Sequence, residues 1–230
     1  MKHHVLPGNP PLRVILRKSR QARRLSLRVS RLDGRVTLTL PYSVAESEAV
    51  AFLEEKEDWL RHHTADQPEQ IAVGIGSELP LRGKSLSVQA GQGRRIVLHE
   101  STVSVPGTPE TVAPRLKSYL RELARAELAT ASDYYASKLG RSYTRLTLRD
   151  TRSRWGSCTA DGGLMYSWRL ILAPPDVLNY VAAHEVAHLE EMNHSPAFWS
   201  TVKELYGDTQ SPRLWLKTEG HQLHRYRFGD

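Results

Sequence analysis

One cysteine, Cys158, stands among 230 residues, so no disulfide can close within the chain, and a reducing compartment suits it. Long apolar runs are missing as well: none reaches the roughly 18 residues that a membrane span needs. The first stretch, MKHHVLPGNPPLRV, lacks the apolar segment of a secretory signal. These absences lead us to expect a cytoplasmic protein without a membrane part. No internal repeat and no low-complexity tract occurs, which excludes solenoids and flexible arrays. Methionine is scarce, at Met1, Met165 and Met192, and none lies beyond residue 192.

What is present is unevenly placed. Residues 1–35 carry ten Lys and Arg against one acid, Asp33, whereas the remainder is close to neutral. The basic residues of 13–35 read either as a solvated strand face or as a contact surface for nucleic acid, nucleotide or another polyanion. No recognised nucleic-acid motif accompanies them. Alternating apolar and polar residues predict strands over 13–19, 23–30 and 35–41, with a hairpin turn at Asp33-Gly34. Ser43 and Glu46 have capping-box spacing and predict a helix to about residue 63. Short alternating runs follow a polar loop at 64–77. Thr108-Pro109 then opens a long helix to about 139, with Leu116, Leu120, Leu123, Leu128, Ala131 and Tyr135 at helical spacing. Further strands are expected in YTRLTLRD, RSRWGSC and LMYSWRLIL. Helices follow over about 176–192, through AFWSTVKELY, and near 211–226.

The helix at 176–192 carries the chemistry. It reads HEVAHLEEMNH over 184–194. His184 and His188 are four apart, so on a helix both rings lie on one face within a turn. Two imidazoles so placed can bind one tetrahedral zinc, and Glu185 can take a proton from a water there, which is the mechanical sense of His-Glu-x-x-His. A catalytic zinc needs a third ligand and an open position. His194 is the best candidate, with Asn193 in a left-handed conformation swinging it back and Ser195-Pro196 starting the next helix. Glu190, Glu191 and Glu204 are weaker candidates. The apolar surround (Val181, Ala182, Ala183, Val186, Ala187, Leu189) marks a core helix, in which two histidines and a glutamate need partners. The histidine spacing also fits the metzincin pattern, but Glu191 stands where that pattern has glycine and no methionine follows His194.

RWGSC at 154–158, SWRLILAPPDVLNYVAAHEVAHL at 167–189 and NHSPAFW at 193–199 together resemble the YgjP-like metallopeptidase domain, a relative of the WLM and SprT-like zincins. RRLSLRVS, GRVTLTLP and KEDWL are similar to that family too, so the likeness covers roughly residues 13–205. The family's histidine, glutamate, histidine and later histidine fall on His184, Glu185, His188 and His194. Ser167 stands where the family often has asparagine. The resemblance implies a zincin-like catalytic fold and a hydrolase.

The expected architecture is α+β in two parts. Residues 1–108 form a β-rich region with one helix, and 109–230 form a zincin-like unit of long helix, small sheet and motif helix. The expected reaction is zinc-assisted hydrolysis of a peptide bond, with one zinc per chain, Glu185 as general base and a peptide or protein substrate. Arg169 lies just before the motif helix, where zincins hold an extended peptide by strand addition. Arg152, Arg154 and Tyr166 are further candidates for substrate contact or oxyanion stabilisation, as is Tyr180. Cys158 reads as a small strand residue rather than a nucleophile. Trp155, Trp168 and Trp199 are expected to pack around the motif helix, and His221 and His224 to sit at the surface. Two other functions stay open: a metal-dependent nucleotide phosphohydrolase, and a metal-stabilised protein that associates with nucleic acid.

Overall fold

A computed structural model describes residues 2–30, 34–65 and 69–229. The chain divides into two units, Met1–Glu69 and Gln70–Asp230. In the first, alternation builds a four-stranded sheet from β1 (Lys2–Leu6), β2 (Leu12–Ser19), β3 (Ser26–Val29) and β4 (Val36–Pro41), ordered β1-β2-β4-β3. β2 and β4 run parallel; the other pairs are antiparallel. Leu6, Leu12, Val14, Leu16, Val36, Leu38 and Leu40 point to one face and meet Ala49, Leu53 and Leu60 of the helices α1 (Glu46–Glu55) and α2 (Glu57–Ala65). β3 and β4 pair antiparallel as expected, although Asp33 of the predicted turn lies outside the described residues.

The expected single helix with a Ser43 cap is corrected in two ways. It is divided at Lys56, and it begins at Glu46 with Ala45 as a cap that makes no side-chain bond. β4 stays paired through Pro41, so the next residues must turn away first, with Val44 N–H donating to the Pro41 carbonyl at 3.3 Å. Glu46 accepts from Lys2 Nζ at 2.6 Å instead of closing a capping box.

The second unit begins with β5 (Ile71–Ala72), β6 (Glu78–Leu81), β7 (Lys84–Gly91), β8 (Val97–Leu98) and β9 (Thr102–Pro106). Four of these form a sheet ordered β6-β7-β9-β8. Then comes α3 (Pro109–Leu139), which starts at a Thr108–Thr111 capping box and ends at Gly140, whose φ of 67° suits glycine. The boundary expected at 108/109 therefore falls inside this unit. Leu79, Leu86, Val88, Val103 and Val105 of the strands share one core with Val112, Leu116 and Leu120 of α3.

A second sheet, ordered β10-β12-β11, follows: β10 (Arg145–Arg149), β11 (Gly156–Cys158) and β12 (Gly163–Ser167). β12 lies between a parallel and an antiparallel neighbour, so β11 is an edge. The strand expected through LMYSWRLIL stops at Ser167. Beyond it Trp168–Leu172 are buried without exception and coil into a 3-10 turn, because no strand continues the ladder there. Pro174-Pro175 opens α4 (Pro175–Ala187), followed by α5 (Pro196–Tyr206) and α6 (Gln210–Thr218). The helix expected near 211–226 instead breaks after α6. Gly220 lies against Trp155, where a Cβ would sit 3.0 Å from Cζ2, and a short 3-10 turn leads to β13 (Tyr226–Arg227), parallel to β5. Among the described residues no helix is long and apolar enough to cross a membrane.

Candidate metal centre

α4 is buried along nearly its whole length by Val177, Leu178, Tyr180, Val181, Ala182, Ala183, Val186 and Ala187. It ends earlier than the sequence suggested: His188 is its C-cap, and residues 189–194 leave the helix through tight turns. The expected left-handed Asn193 is also corrected. Arg82 is the non-glycine residue with positive φ among those described. Asn193 instead bends the chain with its side chain, Oδ1 accepting from Ser195 N–H at 3.0 Å. Ser195 then caps α5 by accepting from Phe198 N–H at 3.3 Å, with Pro196 at the first helical position.

This path brings His194 over α4. Its Nε2 lies 3.1 Å from His184 Nε2, and the ligand atoms of His184, His188 and His194 lie within 4.8 Å of one another. Two nitrogens bound to one tetrahedral zinc at about 2.0–2.1 Å sit about 3.3 Å apart, so the spacing fits a shared ion. His188 Nδ1 is 2.8 Å from the Glu191 carbonyl, which can only accept. That bond fixes the proton on Nδ1 and leaves Nε2 bare for a metal. Burial first, then repulsion among the rings and from Arg213, push His184 down to about 3. Burial also lowers His188, against the pull of the Glu191 carbonyl. Neutral imidazoles are the form that binds metal.

Phe198 forms the floor. Its ring stacks on His188 at 4.3 Å and meets His184 and His194 edge-on at 4.9 and 4.8 Å. Trp199 stacks on His194 at 5.7 Å, and Arg213 lies over Trp199 at 4.6 Å. A cavity of about 640 Å³ opens beside His188, lined by Arg141, Thr144, Asp161, Leu189 and Met192 among others.

Glu185 is buried, 6% exposed, and burial pushes its carboxyl up to about 8, with the Arg154 cation pulling the other way. Its carboxylate lies against Gly156 of β11. A Cβ built there would be 2.5 Å from Oε1, 2.6 Å from Cγ and 2.7 Å from Cδ. Gly156 is thus the residue that gives Glu185 its place. RWGSC contained the signal, a glycine inside a strand, where close approach of another group is one of the few reasons for it.

The other sequence candidates separate. Arg154 is exposed and electrostatically close to Glu185. Arg152 is exposed and acts on buried His224. Arg169 is corrected from substrate contact to structure. It is 3% exposed, donates Nε and Nη2 to the Asp150 carboxylate at 2.7 and 3.1 Å, and donates Nη1 to the carbonyls of Leu223 and Tyr226. Tyr166 is fully buried with its hydroxyl 3.0 Å from Ser132 Oγ, and burial raises its pKa, so it does not face a substrate. Tyr180 is buried too, its hydroxyl 3.5 Å from His184 Nδ1. Burial, then the charges of Glu185 and Asp161, raise the Cys158 thiol to about 11, the wrong direction for a nucleophile. His224 is corrected from surface to interior: 6% exposed, its ring 5.4 Å from Trp155. The three weaker ligand candidates stand outside the histidine cluster. Glu190 lies 4.0 Å from Arg141, Glu191 turns its backbone carbonyl to His188, and Glu204 accepts from Ser200.

Three histidines around one point, on and just after a buried helix whose glutamate faces an edge strand, make up a metallohydrolase type of centre. The YgjP-like metallopeptidase domain model matches residues 23–219, and the chain belongs to that family, which implies a metal. A crystal structure of the metallopeptidase zymogen of Pyrococcus abyssi abylysin is similar to 40% of this chain and 95% of its own, at 17% identity and a TM-score of 0.36. The comparison with curated proteins found no match.

Proposed function

We propose that this chain is a zinc-dependent peptidase in which His184, His188 and His194 hold one metal ion and Glu185 is the general base. The observation that carries the reading is the convergence of three imidazole nitrogens within 4.8 Å beside the buried Glu185. When bound, the metal supplies Lewis acidity toward a water and the substrate carbonyl. The protein's residues do the rest. An extended peptide pairs its backbone along the outer edge of β11, which runs past Glu185 at Gly156. A side chain of the peptide enters the cavity beside His188. A Glu185 carboxylate oxygen accepts a proton from the attacking water and returns it to the leaving amine.

The test pairs metal analysis with Glu185→Gln, a substitution of nearly equal shape. The expected result is about one zinc per chain in both proteins and loss of peptide cleavage in the variant. Absence of bound metal from both sinks the site, and full activity in the variant sinks the base. Mass spectrometry of digested peptide mixtures identifies the bond: new N-termini support the peptidase, whereas release of phosphate or pyrophosphate from nucleotides, with peptides intact, overturns it.

A further inference from the structure

The first unit separates its charge by face. Leu12, Val14 and Leu16 of β2 point toward the helices, so Arg13 and Arg17 point outward and are exposed. On β3, Leu27 and Val29 face the core while Ser26 and Arg28 face out. Thr37 and Thr39 of β4 lie between these two strands on the same outer face, in the rows Ile15–Thr37–Arg28 and Arg17–Thr39–Ser26. Exposed Arg20, Arg23 and Arg24 continue the patch in the β2–β3 connection. No acid occurs in the four strands or in that connection. Glu46, Glu48, Glu54, Glu55, Glu57 and Asp58 are all carried by α1 and α2, on the opposite side of the sheet.

We propose that this outer sheet face docks on the phosphodiester backbone of a nucleic acid, independently of the hydrolytic reading. Arg13 and Arg17 attach about 13 Å apart along β2, and Arg28 lies two strands, or about 10 Å, away. Positive charge spread over such a strip suits the repeated phosphates of a polymer better than one small phosphate. The outward hydroxyls of Ser26, Thr37 and Thr39 can donate to phosphate oxygens between the guanidinium groups. The outward residues of the strands are basic, hydroxylated or aliphatic apart from His3, without the amide or acidic side chains that read adenine and cytosine, so phosphate contact dominates and sequence preference is weak. The acidic helices repel phosphate and orient the unit with its sheet toward the polymer.

The experiment titrates the full chain against a fluorescent 20-base-pair DNA duplex at several salt concentrations. Wild type is expected to bind with an affinity that falls log-linearly with salt. Replacing Arg13, Arg17 and Arg28 together by Gln reduces the log–log slope by about 2–3 and weakens binding more than tenfold at low salt. The same three positions as Lys keep the slope, which separates charge from folding, and Glu54→Gln/Glu55→Gln does not weaken binding. No binding by wild type at low salt overturns the proposal. So does unaltered binding by the Gln triple variant, or capture by phosphatidylserine vesicles without capture by the duplex.

Discussion

Gly156 shows how a single missing methyl group can make room for a buried carboxylate. A Cβ there would come within 2.5–2.7 Å of three atoms of Glu185, closer than such atoms approach in real structures. The clash falls on the outer part of a rotatable side chain rather than on backbone, so Gly156→Ala is expected to fold and to keep its metal while displacing the carboxylate. A misplacement of this size predicts a fall in kcat of about 100-fold with little change in KM. If Gly156 acts only through Glu185, adding Gly156→Ala to Glu185→Gln costs nothing further. Steady-state kinetics of the four proteins checks this, and additive losses would show another role. The clustering of His184, His188 and His194 was legible because it follows from local spacing. A glycine within a strand marked Gly156 as a point of close approach but not its partner, and Phe198 carried no such mark, because the groups they touch lie in other elements. Arg169 was read wrongly for a related reason: its carbonyl partners, Leu223 and Tyr226, are supplied by a distant segment.

The elements around the site were readable where the chain itself marks its ends. α3 begins at Thr108-Pro109 and stops at Gly140, both visible as capping chemistry. α4 was overrun by five residues because the apolar and charged pattern of HLEEM continues helically while the backbone does not. Its C-terminal carbonyls are instead closed by tight turns, Val186 accepting from Leu189 N–H at 2.9 Å and Ala187 from Glu191 N–H at 3.0 Å. The following turn rests on Asn193. Its side-chain acceptor holds the N–H of Ser195, the α5 cap, and so fixes the step that carries His194. Asn193→Ala is expected to leave α4 with its two histidines intact and to weaken zinc binding about 10–100-fold, the usual loss when support behind a ligand is removed. Asn193→Asp keeps the acceptor oxygen and should bind nearly as wild type. Competition with a chromophoric chelator measures both. Equal affinity in wild type and the Ala variant would show that α5 alone positions His194.

For the molecule as a whole, the α+β class could be read from the sequence but the division at 69/70 could not. The strands of 78–106 look like a continuation of the first sheet, and only their shared core with α3 assigns them to the second unit. The closing segment was equally hidden, and it is tied down by a buried cluster with a definite response to acid. Arg169 joins Asp150 to the carbonyls of Leu223 and Tyr226, and His224 is packed beside them against Trp155. Burial is the largest force on His224. Arg169, Arg152 and Arg227 add to it against the opposing charge of Asp150, and the result is a pKa of about 4. An unfolded chain protonates the same ring near 6.5. Above that pH neither state holds the proton and the group is neutral in its effect. Between 6.5 and 4 the unfolded state gains the proton first, so stability falls as pH drops, by up to about 3 kcal/mol, and the loss levels off below 4. Burial raises the Asp150 carboxyl, but its bonds and charge pairing with Arg169 outweigh that and hold it below the usual range. Its stabilisation therefore persists through the histidine window and is lost only as pH falls further, through its lowered pKa. Urea midpoints of wild type and His224→Gln, both in chelator so that metal release does not contribute, separate the two arms. The difference between the curves should develop between pH 6.5 and 4 and stay constant below. A difference that is flat across that window would place the acid sensitivity on the site histidines instead.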